Sequence, residues 1–313
     1  MVNVVFFGTP EFAVPTLRAL LASRHNVVGV VTQPDKPRGR GQQVSDSPIK
    51  QLALSHGLPI VQPERLKAPE FAEILRSWQP DLGVVAAYGR IIPETIINVP
   101  RLGMINVHAS LLPKYRGAAP VHRAVIEGER ETGVTIMRVE KELDAGAMFA
   151  TATRPIGPDD TSDVVERDLS ELGAGLLVQV VDQIAAGTAR EEPQDASRFT
   201  LAPRLTKEEG LIDWTLPAAA IHNRVRGLYP WPHAYTYLDG ARLIVLKTQV
   251  EPLPASAPPG EVVGVTRDAI QVATGQQGRI AILQLQPEGR RPMATRDFLA
   301  GRAIRTGAIL GSR

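Results

Sequence analysis

Hydrophobic and polar positions alternate in blocks through the first half of the chain. Residues 2–7 are apolar except for Asn3 and end at Gly8; Thr9 then offers a helix N-cap, Pro10 a first helical position and Glu11 an acidic first turn. This predicts a strand, a tight turn and a helix whose apolar stripe runs through Phe12, Leu17, Leu20 and Leu21. The β-branched stretch NVVGVVT at 26–32 predicts the next strand. Helices over 48–55 and 69–77, strands over 59–61 and 82–87, and further units at 104–108, 119–126, 134–139 and 148–155 continue the alternation. A long helix, capped near Thr161 and running to about Ala186, closes this half. Strands alternating with helices of these lengths need crossovers, so the expected fold is α/β, with a doubly wound, mainly parallel, Rossmann-like sheet.

The rhythm then changes. GTAREEPQDASRFTLAPR, residues 187–204, is polar, carries two prolines and lacks any period, which reads as a linker. The expected organisation is a first domain over 1–189, a linker over 190–206 and a second domain over 207–313. In the second, a short helix over 217–226 precedes two apolar segments, 234–238 and 243–250, that flank Asp239-Gly240, a hairpin signature. Short strands over 262–266, 269–273 and 280–286 follow, so this part is expected to form a small OB-like β-barrel.

Composition narrows the function classes. A chain of 313 residues exceeds the usual ~100–200 of one domain and is long enough for two substantial cores. No cysteine is present, which removes disulfides, thiolate zinc sites and cysteine nucleophiles, and no other spacing suggests a metal site. Residues 1–7 lack a basic flank and a cleavage site, and no apolar run reaches the ~18 residues of a membrane span, so a cytoplasmic protein without membrane contact is expected. Net charge is only +2, but residues 207–313 hold 13 Lys and Arg against 9 Asp and Glu, while the rest holds 22 against 24. The positive excess therefore lies where it could attract a polyanion, although a solvated basic face explains the same count.

Candidate chemistry concentrates in NVHASLLPKYRGAAP, residues 106–120. Asn106 and His108 sit two apart near the carboxyl end of a predicted strand, so both face one crevice, and open parallel sheets bind ligands beyond such ends. An amide donor and a titratable imidazole thus look into a single crevice; a lone histidine is more often structural, but the neighbouring amide and the loop that follows favour chemistry here, whereas His25, His56, His122, His222 and His233 lack comparable neighbours. The segment 110–117 is too apolar for a solvated loop and too poor in helix formers to continue, and reads as a ligand wall. Asp144 follows the strand near 134–139, where its carboxylate could orient His108 and favour the charged ring, or serve merely as a turn residue before Gly146. A nicotinamide-dependent oxidoreductase is disfavoured, because GTP at 8–10 lacks the further glycines of the dinucleotide fingerprint. A purely RNA-binding module would leave Asn106, His108 and Asp144 without a purpose.

The motifs GTPEFA (8–13), TQPDKPRGRG (32–41), AAYGRIIP (86–93), NVHASLLPKYRGAAP, ETGVTIM (131–137) and LDAGAMF (143–149) together closely resemble the methionyl-tRNA formyltransferase family. The likeness continues through LTKEEGLIDW (205–214), YPWPHAY (229–235) and IQVATG (270–275), covering essentially the whole chain. It implies transfer of a formyl group from 10-formyltetrahydrofolate, a cosubstrate, to the α-amino group of methionyl initiator tRNA; a monomer is expected, and the reaction needs no metal. Asn106, His108 and Asp144 match the family's catalytic positions; Ser110, Leu111, Leu112 and Pro113 match the folate cleft; Lys36, Arg38 and Arg40 match the loop that enters the tRNA acceptor stem. The donor-binding core is shared with glycinamide ribonucleotide and sugar-nucleotide formyltransferases and with formyltetrahydrofolate hydrolase domains, so the acceptor rests on that basic loop. Here the sequence departs from the family pattern: Gln42-Gln43 stand where lysines are common.

Overall fold

A computed structural model describes residues 1–35, 37, 38 and 43–311. They form two compact units, one comprising Met1–Pro120, Glu131–Pro155 and Glu166–Pro203, the other Val121–Arg130, Ile156–Val165 and Arg204–Arg313.

In chain order the elements up to the second barrel region are β1 (Asn3–Gly8), α1 (Val14–Ala22), β2 (Asn26–Val31), the short pair β3 (Pro37–Arg38) and β4 (Gln43–Val44), α2 (Pro48–Ser55), β5 (Ile60–Val61), α3 (Pro69–Ser77), β6 (Leu82–Ala86), α4 (Glu94–Ile97), β7 (Met104–His108), β8 (Arg116–Gly117), α5 (Pro120–Ile126), β9 (Glu131–Arg138), β10 (Met148–Pro155), α6 (Ser162–Ala186) and β11 (Leu201–Ala202). The first unit's main sheet has the order β10-β9-β7-β6-β1-β2-β5. Its five strands from β7 to β5 run parallel, and β9 and β10 are added antiparallel at one edge. Buried on both faces, β6 and β1 beyond Asn3 read as unbroken apolar runs, while the edge strand β10 alternates. Chain order reverses between β1 and β6, which makes their carboxyl ends the switch point where a crevice opens.

Local chemistry explains the elements. α2 starts on Ser47, whose hydroxyl accepts from the Lys50 N–H at 3.1 Å, with Pro48 at the first helical position. Gly8 ends β1 because a Cβ there would lie 2.7 Å from the Phe6 ring and 3.0 Å from the Ala86 carbonyl. Thr9, expected to cap the next helix, does not: its hydroxyl donates to Tyr88 O at 3.4 Å and accepts from Gln33 N at 3.3 Å. The turn opens instead with a 3₁₀ segment, Glu11–Ala13, that has no side-chain cap. Thr9 thus ties three strand ends together beside the crevice. α6 is long and apolar enough by length and composition to cross a membrane. Yet Leu169, Leu177, Val180 and Val181 are buried in one stripe, and Gly173 sits against Val107 and Val134 with no room for a Cβ, which is the pattern of a helix packed on a sheet.

The second unit holds α7 (Ala218–Gly227), β12 (Ala234–Leu238), β13 (Ala241–Glu251), β14 (Val262–Val265), β15 (Ile270–Ala273), β16 (Arg279–Pro287), β17 (Met293–Ala294) and α8 (Thr295–Gly301). Its antiparallel sheet has the order β12-β13-β16-β15-β14. Asp239 and Gly240 take φ of +51° and +75°, the left-handed pair that the β12–β13 hairpin requires. The terminal segment bridges the two outer strands, since Gly311 exchanges hydrogen bonds with Tyr237 while Ala308 O accepts from Val262 N and Leu310 N donates to Gly260 O. The sheet is thereby closed into the small barrel the strand pattern predicts. Arg290 and Arg291 are exposed on it, whereas Arg302 is half-buried and paired with Asp239 at 2.5 Å.

Candidate active site

β7 carries Asn106 and His108 side by side on one face, as the two-residue spacing requires. His108 is 5 % exposed. Its Nε2 lies 3.0 Å from the Tyr115 carbonyl oxygen. A carbonyl only accepts, so Nε2 carries a proton and, in the neutral ring, Nδ1 presents its lone pair. That nitrogen is 3.7 Å from Asp144 Oδ2, outside hydrogen-bond length but within Coulombic reach. Asn106 is half-buried, and its amide makes no hydrogen bond among the described residues. An uncommitted donor beside an uncommitted proton-accepting nitrogen is a pair that can act on a bound reactant.

Asp144 reaches the ring from the loop after β9. Its own φ is +48°, a strained conformation for a residue with a Cβ, and its Oδ2 accepts the Gly117 N–H at 2.8 Å. The carboxylate is therefore held by the backbone of the loop that also supplies the Tyr115 carbonyl. That loop, 109–117, is tied internally: Ser110, fully buried, donates its hydroxyl to Lys114 O at 2.6 Å, and Thr135 of β9 donates to Ser110 O at 2.7 Å while accepting from Leu112 N at 3.1 Å. Tyr115 and Gly117 take φ of +63° and +126°. Ser110 thus shapes the wall through its own hydrogen bonds, with Leu112 buried and Leu111 and Pro113 half-buried beside it.

The structure brings His108, Asp144 and the 110–113 segment together and puts Asn106 next to His108 on the strand. It also adds groups the sequence did not single out: the Tyr115 carbonyl, the Gly117 N–H and Thr135. Backbone groups leave no mark in side-chain patterns, whereas Thr135 could have been found from the β7–β9 register, in which it faces His108 directly. Of the expected tRNA contacts, Arg38 pairs through its backbone with Gln43 in the β3–β4 ladder, and Lys36 and Arg40 lie outside the described residues. The base of that loop is described: Lys50 is ion-paired with Asp35 on one stem and, at 2.7 Å, with Asp46 on the other. These carboxylates, led by Asp35, hold the Lys50 ammonium above its ordinary value. Gln62 braces the stem by donating to Gln33 O and Asp35 Oδ1, both at 2.9 Å. No group of metal-binding side chains occurs among the described residues.

Residues 2–181 match the formyl transferase family and residues 204–303 match the formyl transferase C-terminal domain. The chain is 46 % identical to a methionyl-tRNA formyltransferase of Citrifermentans bemidjiense over 99 % of its length and 97 % of that protein's. It is 48 % identical to one of Methylococcus capsulatus, over 99 % of this chain and all of that one. A solved N-formyltransferase from Helicobacter canadensis, in complex with folinic acid and dTDP-3-aminofucose, superposes with a TM-score of 0.67 at 16 % identity, covering 90 % of this chain and 99 % of the other. At that identity the last likeness concerns the fold alone.

Proposed function

The chain belongs to the formyl transferase family, and from that premise we propose that it transfers a formyl group from 10-formyltetrahydrofolate to the α-amino group of methionyl initiator tRNA. The observation that carries the reading is the state of the polar groups on β7: His108 is anchored through Nε2, keeps Nδ1 3.7 Å from a carboxylate without a hydrogen bond among the described residues, and stands beside an amide that likewise makes none among them. Such a set suits acyl transfer, in which a carbonyl oxygen gains charge while an amine loses a proton.

When bound, the folate supplies an electrophilic formyl carbon and a nitrogen leaving group. Asn106 donates from its amide to the formyl oxygen as that oxygen becomes negative; one such donor is worth about 3–4 kcal/mol in the transition state. His108 takes the proton of the attacking amine at Nδ1 and returns one towards the leaving nitrogen. Asp144, fixed by the Gly117 N–H, stabilises the ring while it is charged and keeps it in orientation. Leu111, Leu112 and Pro113 line the donor cleft, and Ser110 preserves its shape through its bond to Lys114 O. Lys36, Arg38 and Arg40 contact the acceptor stem, and the second unit is an electrostatic platform for the tRNA through Arg290 and Arg291. The protein acts as a monomer in the cytoplasm, where charged initiator tRNA is available.

The test offers purified protein and 10-formyltetrahydrofolate three acceptors: methionyl initiator tRNA, charged elongator tRNA and an amino sugar nucleotide. Formylated product is expected on the initiator tRNA. Product on the sugar nucleotide alone would overturn the reading.

A further inference from the structure

The polar stretch around residue 194, expected from the sequence to be a linker, lies within the first unit and is held there by many contacts. Along its course Glu191 is ion-paired with Arg138, Glu192 exchanges backbone hydrogen bonds with Met148 at 2.8 and 2.9 Å, and Thr200 accepts from Arg116 N through its carbonyl at 2.8 Å and from Tyr115 N through its hydroxyl at 2.9 Å. β11 pairs with β8 directly after the catalytic loop. The segment is zipped against the loops that carry His108's two partners, the Tyr115 carbonyl and the Asp144 carboxylate.

Gln194 is the centre of this seam. Its Nε2 donates to Asp144 O and to Gly146 O, both at 2.8 Å, and its Oε1 accepts from Arg116 Nε at 3.0 Å and from a terminal nitrogen of the same guanidinium at 2.8 Å. The chemistry allows one orientation only: a guanidinium has no acceptor and a carbonyl no donor, so only an amide satisfies both. Arg116 is itself buried, and its guanidinium stacks 5.1 Å over the Phe199 ring. The backbone gripped by the amide is the one under strain, since Asp144 has φ +48° and a Cβ on Gly146 would lie 2.1 Å from Arg138 O. A strained backbone keeps its shape only when its surroundings over-determine it.

We infer that Gln194 is a positioning residue of the transfer reaction: its side-chain amide, braced by Arg116, holds the Asp144 backbone in the conformation that presents the carboxylate to His108. It touches neither reactant. The inference rests on the roles given above to His108 and Asp144, and the experiment separates the two.

Steady-state kcat and KM for both substrates are measured on the full chain for the wild type, Gln194→Leu, Gln194→Glu, Asp144→Asn and the Gln194→Leu/Asp144→Asn double variant. Gln194→Leu removes every polar contact at similar size; it is expected to lower kcat about 10- to 100-fold with KM changed less than about twofold, because it misplaces a group instead of removing a binding contact. In the Asp144→Asn background the same substitution is expected to add less than about threefold, as for two residues acting through one carboxylate. If Gln194→Leu fails to fold, Gln194→Glu serves: it keeps the acceptor for Arg116, loses the donor to the two carbonyls, and should show the same kcat loss. Equal losses in both backgrounds, a loss confined to KM, or a kcat within about twofold of wild type would overturn the inference while leaving the Asp144 role intact. An Asp144→Asn variant with full kcat would instead remove the parent reading and this one with it.

Discussion

His108 in the first unit and His222 in the second are both held through Nε2 near a backbone carbonyl, Tyr115 O at 3.0 Å and Pro158 O at 2.9 Å. The difference lies in the other nitrogen. His222 Nδ1 is 3.0 Å from the Thr248 hydroxyl, which can donate to it, so that ring is hydrogen-bonded on both sides. His108 Nδ1 has no partner at hydrogen-bond length among the described residues and faces a carboxylate 3.7 Å away whose nearer oxygen is already held by Gly117 N. One ring is a cross-brace between α7 and its neighbours; the other is anchored at one end and chemically open at the other. A buried histidine therefore declares its role less by burial or by having a partner than by whether both nitrogens are committed.

The contrast extends to the residues around each ring and can be attacked there. Among the residues around the two rings, the largest effect is expected from Asn106→Ala, which removes the amide beside the open nitrogen: kcat should fall about 10²–10³-fold with KM little changed, and a loss confined to KM would make Asn106 a binding residue instead. Next is Arg40→Ala, expected to slow formylation of charged initiator tRNA at least ~10-fold while leaving slow hydrolysis of the folate donor unaffected; equal losses would assign the loop to the donor site. tRNA binding should likewise weaken steeply, by about a power of ten or more, between ~50 and ~200 mM salt, and a flat response would contradict a phosphate-driven platform.

His222→Ala sharpens the comparison from the other side. Removing two hydrogen bonds of a structural ring should cost about 1–3 kcal/mol in denaturant unfolding while kcat of the folded variant stays unchanged, and a selective loss of kcat would erase the distinction. The smallest effect concerns the Arg123–Glu209 pair of the second unit, at 2.5 Å. The Arg123 guanidinium holds the Glu209 carboxyl below its ordinary value of 4.5, with the Thr206 N–H assisting and partial burial opposing. A depressed carboxyl contributes stability above that ordinary value and loses it as pH falls through the folded one. Glu209→Gln should therefore destabilise by roughly 1 kcal/mol near neutral pH, and its difference from wild type should shrink as pH falls below 4.5 and vanish once the folded carboxyl is protonated; a difference that grew in acid would reverse the assignment.

The fold was readable because its main elements declare themselves locally: β6 and β1 beyond Asn3, buried on both faces, are unbroken apolar runs, α2 carries Ser47 and Pro48 at its start, and Asp239-Gly240 accepts the left-handed turn. Asn106 and His108 were readable as a pair because a strand sends alternate residues to one side. Asp144 needed the resemblance, since its sequence context suits an ordinary turn equally well. The rest was hidden for two physical reasons. Partners made of backbone, such as the Tyr115 carbonyl and the Gly117 N–H, depend on φ values near +63° and +126° that no side chain announces. Long-range contacts such as Gln194 with Asp144, fifty positions apart, join an aperiodic polar stretch to a loop, and neither offers a repeat to read. Thr9 illustrates the same limit: a good capping residue was drawn away by the Tyr88 carbonyl, in the loop after β6 and far from Thr9 in the sequence.

The central claim is that the open nitrogen of His108 carries the proton transfers of formylation. Single-turnover formylation of methionyl initiator tRNA by His108→Ala, with tRNA retention and thermal unfolding followed in parallel, addresses it directly. A fall in rate of about 10³-fold or more, with binding and fold intact, is the expected result. A His108→Ala protein that formylates the tRNA at close to the wild-type rate would contradict the account.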